Sequence, residues 1–163
     1  MELFANLFGN GVKWTWKSML MLGFLAVFPN LLGLISVPTG LGFNFHVFQI
    51  LIFTAALIYG PFGGAVSGLF GSLYSAAVLN NPYIIFGNIL LGFFFGVFAK
   101  KTNPVFAVLG AFAIQLPWLW VTDIYFAHMP TAAVQLVVVS LLASNILWAF
   151  LAVKSYKKVK ALI

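Results

Sequence analysis

The sequence predicts a compact all-α integral membrane protein, a bundle of six transmembrane helices with both termini in the cytoplasm. Of the 163 residues, 63% are hydrophobic and 6% are charged, at a mean hydropathy of +1.10, too little polar material for a water-facing surface. All eight cationic residues are lysines, in three groups: Lys13 and Lys17, Lys100 and Lys101, and Lys154, Lys157, Lys158 and Lys160. Positive residues concentrate in cytoplasmic segments, so the groups are expected on one side of the bilayer. Each pair of groups is then separated by an even number of crossings. At roughly 17 to 25 residues per span, the lengths admit four crossings before Lys100 and two after Lys101.

The elements follow in order. Residues 1–18 mix Leu3, Phe4, Leu7, Phe8, Trp14 and Trp16 with Asn6, Asn10 and Lys13, too polar to cross and suited to the cytoplasmic interface. Their lysines follow the apolar stretch, which argues against a cleavable signal. The membrane domain is expected over residues 19–153. Helix 1 covers 19–37, with Pro29 and Asn30 inside it, and an uncharged outer connection covers 38–44. Helix 2 covers 45–59, residues 60–64 turn on the cytoplasmic side, and helix 3 covers 65–79. Asn80, Asn81 and Pro82 make an outer turn. Helix 4 covers 83–99, the lysine-bearing loop 100–104, and helix 5, broken near Pro117, 105–124. An outer loop at 125–131 carries His128, helix 6 covers 132–153, and 154–163 form a basic cytoplasmic tail.

Helices in lipid meet through small residues, because lipid tails remove the hydrophobic drive between them. Gly60, Gly64 and Gly68 recur at spacings of four, Gly71 and Ser75 extend the row, and Gly92 with Gly96 forms a second pair. Helices 3 and 4 are therefore expected to pack tightly. The same glycines would also suit a sliding surface for a partner subunit. Asn30 and Asn145 lie at membrane depth, where an amide needs an interhelical bond.

The only acids are Glu2 and Asp123. A carboxylate in a membrane must be paired, neutralised or matched to a ligand, so Asp123 marks a candidate site, unless water of the outer loop simply hydrates it. Trp120 lies three residues before Asp123 and shares its helix face, while Gln115, Trp118 and Thr122 line the neighbouring one. An aromatic beside a carboxylate suits a flat ring bearing positive charge or hydrogen-bond donors, although Trp118 and Trp120 also fit an interfacial belt. Asn44, His46, Gln49, Asn80, Asn81, Asn88, His128 and Gln135 fall on the same outer half. His46, His128 and Asp123 could form a two-histidine, one-carboxylate metal site, but no local ligand spacing requires it, and no metal is assigned.

No catalytic motif stands out: there is no His-Glu-x-x-His, Walker loop, activated serine or acidic pair. One aspartate cannot form a proton relay. The chain is therefore not expected to be an enzyme or to hold a cofactor, and the lysines read as topology anchors, giving no case for nucleic acid.

A central stretch carries a family likeness: Ala55, Ala56, Leu57, Ile58, Tyr59, Gly60, Pro61, Phe62, Gly63, Gly64, Ala65 and Gly68, then Asn81 and Pro82, then Gly87, Asn88, Leu91, Gly92 and Gly96. With its size and topology, the chain resembles the substrate-binding S components of energy-coupling factor (ECF) transporters, prokaryotic plasma-membrane proteins for vitamins and related micronutrients. The resemblance implies a small water-soluble nutrient bound from outside, together with a transmembrane coupling subunit and ATPase subunits as partners. It points to Asn44, His46, Asn88, Trp120, Asp123 and Gln135 as substrate-binding residues. Helix 1 departs from the family pattern of two alanines four apart, offering Gly23, Ala26 and Gly33 instead. A different class of similar bundle is the six-helix scaffold of the bacterial cell-shape machinery (MreD-like), which binds protein partners and needs no polar outer cavity.

Overall fold

The computed structural model describes residues 12–38 and 44–163, with the backbone alone for 36–38 and 44–46. The protein is a helical, multi-pass membrane protein. Three helical stretches, Gln49–Val78, Pro104–Phe126 and Thr131–Lys160, are long and apolar enough to cross a membrane, and Trp16–Leu32 and Tyr83–Phe98 are shorter apolar helices. Leu20, Phe24, Val27 and Leu31 project outward from the first of these, as lipid-facing side chains do.

Helix α1 (Trp16–Leu32) is capped by Thr15, whose Oγ1 accepts the Ser18 N–H at 3.2 Å. It ends earlier than expected, because residues 36–38 leave the helix for a short antiparallel ribbon. In that ribbon β1 (Ser36–Pro38) pairs with β2 (Asn44–His46), with Val37 opposite Phe45. Branched and aromatic residues favour extended backbone, and the ribbon is the one departure from an all-α bundle among the described residues. The tip between its strands lies outside them.

Helix α2 (Gln49–Gly71) changes direction at Gly60, whose φ of 72° and ψ of −164° lie where only glycine sits without strain. A Cβ placed on Gly64 would lie 2.9 Å from the Ala56 Cβ, and one on Gly63 would lie 2.8 Å from the Ala55 carbonyl. Eight residues of straight helix span about 12 Å. The segments on either side of Gly60 are therefore antiparallel arms lying side by side. The reversal needs one residue and not the expected five, so Pro61 to Gly64 already belong to the second arm. That arm breaks at Ser72 and continues as α3 (Leu73–Val78).

Helix α4 (Tyr83–Phe98) packs along both arms. A Cβ on Gly64 would collide with the Gly92 backbone, one on Gly92 with the Gly64 carbonyl, and one on Gly68 with the Asn88 carbonyl. One on Gly96 would lie 2.7 Å from the Pro61 Cα. The glycine rows thus face each other inside the bundle and form internal packing, so they offer no open surface to a partner. The Asn30 amide binds α1 to the second arm, donating to the Phe70 carbonyl at 2.7 Å and accepting the Tyr74 N–H at 2.8 Å. Asn145 departs from its expected role: it is fully buried, and neither amide atom meets a protein partner.

Helix α5 (Pro104–Val121) starts at Asn103, whose Oδ1 accepts the Phe106 N–H at 3.0 Å, with Pro104 in the first turn. It runs into a π-helical turn, Thr122–Phe126, and α6 (Thr131–Lys160) returns. The basic segment expected as a tail after residue 153 is helical to Lys160, consistent with favourable placement of Lys157, Lys158 and Lys160 at a helix C-terminus. The main core joins Phe53, Leu91, Phe95, Val108, Phe112 and Ala149. A second cluster joins Leu22, Leu25 and Tyr59 with Tyr156 and Val159, bringing the end of α6 to the start of α1. All eight lysines consequently sit toward one end of the bundle.

Gly92→Ala should lower thermal stability in detergent by about 1–3 kcal/mol, because the obstructing atoms are backbone and cannot yield. Gly23→Ala, where a Cβ meets nothing within 4 Å, should leave the melting temperature unchanged. Equal melting of both variants would remove the case for glycine-limited contact.

Candidate ligand cavity

At the end of the bundle away from the lysines, a cavity of about 630 Å³ opens between the start of α2, the end of α3, the start of α4, the end of α5 and the start of α6. Gln49 reaches it from α2, Asn80 and Asn81 from the turn after α3, and Asn88 from α4. Gln115, Trp118, Thr122 and Asp123 come from α5 and the π turn, and Ser140 from α6. Leu79, Ile84, Leu119, Met129, Leu136, Val137 and Leu141 complete an otherwise apolar wall. This mixture, apolar walls with a few fixed polar groups, is the usual make-up of a small-molecule site.

Asp123 is buried at 6% exposure and lines the cavity. Its Oδ1 accepts a hydrogen bond from Asn81 Nδ2 at 2.7 Å. Asn81 is held in turn by its own Oδ1, which accepts the Tyr83 N–H at 3.2 Å. The π turn contributes to this placement: the Ala127 N–H reaches back to the Thr122 carbonyl and the Met129 N–H to the Asp123 carbonyl, both at 2.8 Å. Ala127 is thereby folded onto the cavity by Thr122, and Met129 by the same residue that supplies the carboxylate. π turns inside helices recur at functional sites.

Trp118 forms a fixed aromatic wall. Its Nε1 donates to the Tyr83 carbonyl at 3.0 Å, and its ring lies against Phe86 with centroids 4.5 Å apart. Gly87 makes room beside it, since a Cβ there would come within 3.4 Å of Gln115 Nε2 and 3.6 Å of Trp118 Cδ1. Gln49 and Gln115 are 1% and 4% exposed, and the Oε1 of each has no protein partner. A buried acceptor left unmade costs about 1–3 kcal/mol, so two on one cavity are a notable concession in a small membrane protein.

Of the residues assigned from sequence, Asn88 and Asp123 line the cavity, whereas Trp120 and Gln135 do not. Helical geometry gives the reason. Gln115, Trp118, Leu119 and Thr122 form one stripe at 100° per residue, with Asp123 at its edge. Trp120 lies a further 60° beyond Asp123. On α6 the lining stripe is Ala133, Leu136, Val137, Ser140 and Leu141. Gln135 projects nearly opposite and is exposed. Asn44 and His46 lie in β2, beside α6 in the backbone, and their side chains fall outside the described residues. His128, at a φ of 52°, is exposed and away from the lining. Among the described residues, no trio of His, Cys, Asp or Glu is placed to hold a metal ion. Sequence reasoning left Gln49, Asn81, Gln115 and Trp118 out of the site; the Gln115, Trp118, Thr122 periodicity was the available signal for two of them.

Comparison with protein-family models, curated proteins and solved structures gave no match.

Two substitutions should move stability in opposite directions. Asn81→Ala strips the Asp123 carboxylate of its donor and should destabilise the ligand-free protein by about 1–3 kcal/mol. Gln115→Leu removes an acceptor without a protein partner and should leave stability equal or higher. Thermal unfolding in one detergent checks both, and a large loss in Gln115→Leu would mean that this amide holds the fold together.

Proposed function

We propose that the protein is the substrate-binding membrane subunit of an ECF-type uptake system in the plasma membrane of a prokaryote, binding a small, water-soluble, ring-containing nutrient from the outer side. The observation that carries the reading is the cavity itself: a buried carboxylate, several amides and an aromatic wall converge at the lysine-free end of an otherwise apolar bundle. Buried polar groups in a membrane are expensive unless they serve a partner, and a solute is a partner of suitable size for about 630 Å³.

In this reading α1, the two arms of α2 with α3, α4, α5 and α6 make six crossings, and the lysine end faces the cytoplasm. The cavity then opens outward, where a nutrient arrives. The protein performs no chemistry on its substrate and holds no cofactor. Energy comes from ATPase subunits through a transmembrane coupling subunit, as the family resemblance implies. Of Gly23 and Ala26 in α1 and Gly33 just beyond its end, Gly23 alone has open space beside it, while Ala26 is buried and Gly33 packs on Tyr74. A coupling subunit that used α1 would therefore meet a surface different from the family's paired alanines. The scaffold alternative is less favoured because it gives no role to a polar cavity.

Orientation is checked by single cysteines in intact cells. Residues replacing Asn80 and Thr131 should react with an impermeant thiol reagent, and one replacing Thr102 should not; the reverse pattern would invert the topology. Solute binding is checked by equilibrating purified protein with a protein-free small-molecule extract and identifying what is retained. Asp123→Asn should weaken retention by about 1–3 kcal/mol, and Trp118→Ala should weaken it through lost stacking. Retention unchanged in both variants would remove the assignment of the site.

A further inference from the structure

We propose that the lysine end of the bundle is a binding surface for anionic phospholipid headgroups, centred on the outward face of the last turns of α6. It lies at the opposite end from the cavity, so the inference stands without the solute-binding reading. The sequence supplies eight lysines at this end, while Asp123 lines the cavity at the other and the one remaining acid is Glu2. At most one carboxylate side chain of this chain can therefore neutralise eight ammonium groups. Helical geometry gives the charge a direction. Tyr156, Val159 and Ile163 pack inward on the cluster that holds Leu22, Leu25 and Tyr59, and Ala152 beside them is fully buried. At 100° per residue, Lys154, Lys157 and Lys158 fall within one arc on the opposite side of the helix, and all three are exposed. The basic face thus looks away from the bundle. Val12 packs on the same cluster, which brings exposed Lys13 and Lys17 at the start of α1 to the same corner.

Depth selects lipid as the partner. α6 has 30 residues and is about 45 Å long at 1.5 Å per residue, against about 30 Å of hydrocarbon and roughly 40–45 Å with both headgroup layers. With Thr131 at the far edge of the hydrocarbon, the last third of the helix lies at headgroup level and just beyond. Lys154, Lys157, Lys158 and Lys160 all belong to that third. Aromatic residues mark the same level. Trp16, 73% exposed, stands between Lys13 and Lys17 in the chain, and tryptophans favour the membrane interface. The Lys154 Nζ lies 4.4 Å from the centroid of the Phe150 ring, and Phe150 is exposed on the outer surface. That ammonium is held at the lipid boundary, where a headgroup phosphate lies. The choice of cation agrees: lysine is a hydrated point charge on a flexible stem, suited to headgroups that exchange, whereas one fixed bidentate phosphate site favours arginine. The sequence has no arginine.

The test takes full-length protein in nanodiscs made from an equimolar mixture of phosphatidylglycerol and phosphatidylcholine, transfers it to mild detergent, and counts the retained lipids by native mass spectrometry. Phosphatidylglycerol should be enriched at least about tenfold over phosphatidylcholine, since each lysine near an anionic surface contributes about fivefold. The enrichment should fall as salt is raised, because exposed charges are screened. The triple variant Lys154→Gln, Lys157→Gln, Lys158→Gln should lose most of the enrichment, and the corresponding triple arginine variant should keep it. Neither should change the melting temperature of the delipidated protein, as expected for exposed side chains. Equal retention of the two lipids by the native protein, a comparison that needs no variant, would overturn the proposal and leave the lysine face to an acidic protein partner. Undiminished enrichment in the glutamine variant would overturn the placement on α6. Loss of the enrichment on adding glycerol phosphate at the lipid's own concentration would show that a free phosphate serves equally well, and would overturn the assignment to a lipid.

Discussion

The close approach of two helix backbones, Gly64 against Gly92 and Gly68 against Asn88, is the constraint on which the bundle depends. Without a hydrophobic drive between helices in lipid, contact rests on van der Waals packing, and packing at this distance is open only to glycine. The contact holds α4 along the second arm of α2 and fixes the height of Asn88 at the cavity. The adjacent residue, Gly87, turns toward Gln115 and Trp118. One turn of helix therefore serves packing on one side and cavity shape on the other. Because the arms of α2 are joined by a single reversal at Gly60, displacement of α4 would also shift Gln49 at the start of the first arm.

The polar chemistry of the bundle is concentrated and uneven. Asn30 and Ser67 tie α1 to the second arm through backbone carbonyls, with Ser67 Oγ donating to Leu25 at 2.6 Å. Tyr59 donates to the Ser18 carbonyl at 2.7 Å near the lysine end. These groups are satisfied within the protein and account for stability. At the cavity the pattern changes: Asp123 is held by one asparagine, and Gln49 and Gln115 keep acceptors that no protein group meets. Natural proteins hold unfavourable polar groups at sites where a partner completes them; Asn145, whose amide also lacks a protein partner, lies outside the cavity lining, so it is the convergence on one cavity with Asp123 that sets Gln49 and Gln115 apart.

Much of the arrangement was legible in the sequence because membrane helices leave coarse signals. The apolar composition gave the helical membrane class, glycines at intervals of four gave the contact between the second arm of α2 and α4, and Asp123, the one acid within an expected span, pointed to the cavity that it lines. Finer features depended on information that a linear reading lacks. A pairwise rule placed Trp120 beside Asp123, but the centre of the lining stripe is set by Gln115, Trp118, Leu119 and Thr122 together. Gln135 was grouped by depth alone, and depth does not specify which side of α6 a residue occupies. Asn81 entered as a turn residue of the outer half and not as a partner of Asp123, because its bond to Asp123 joins positions 42 residues apart. The helix boundary at Lys160 was obscured by charge, since lysines that end a membrane span can continue its helix into water.

The central claim is that the cavity amides and Asp123 are kept for a water-soluble guest. Native mass spectrometry of the protein, released gently from the membrane in which it was made, tests this most directly. A discrete small, non-lipid mass should accompany the native protein, and its occupancy should fall in Asp123→Asn and Trp118→Ala. A spectrum with only lipid and detergent adducts, identical for the native protein and both variants, would contradict it.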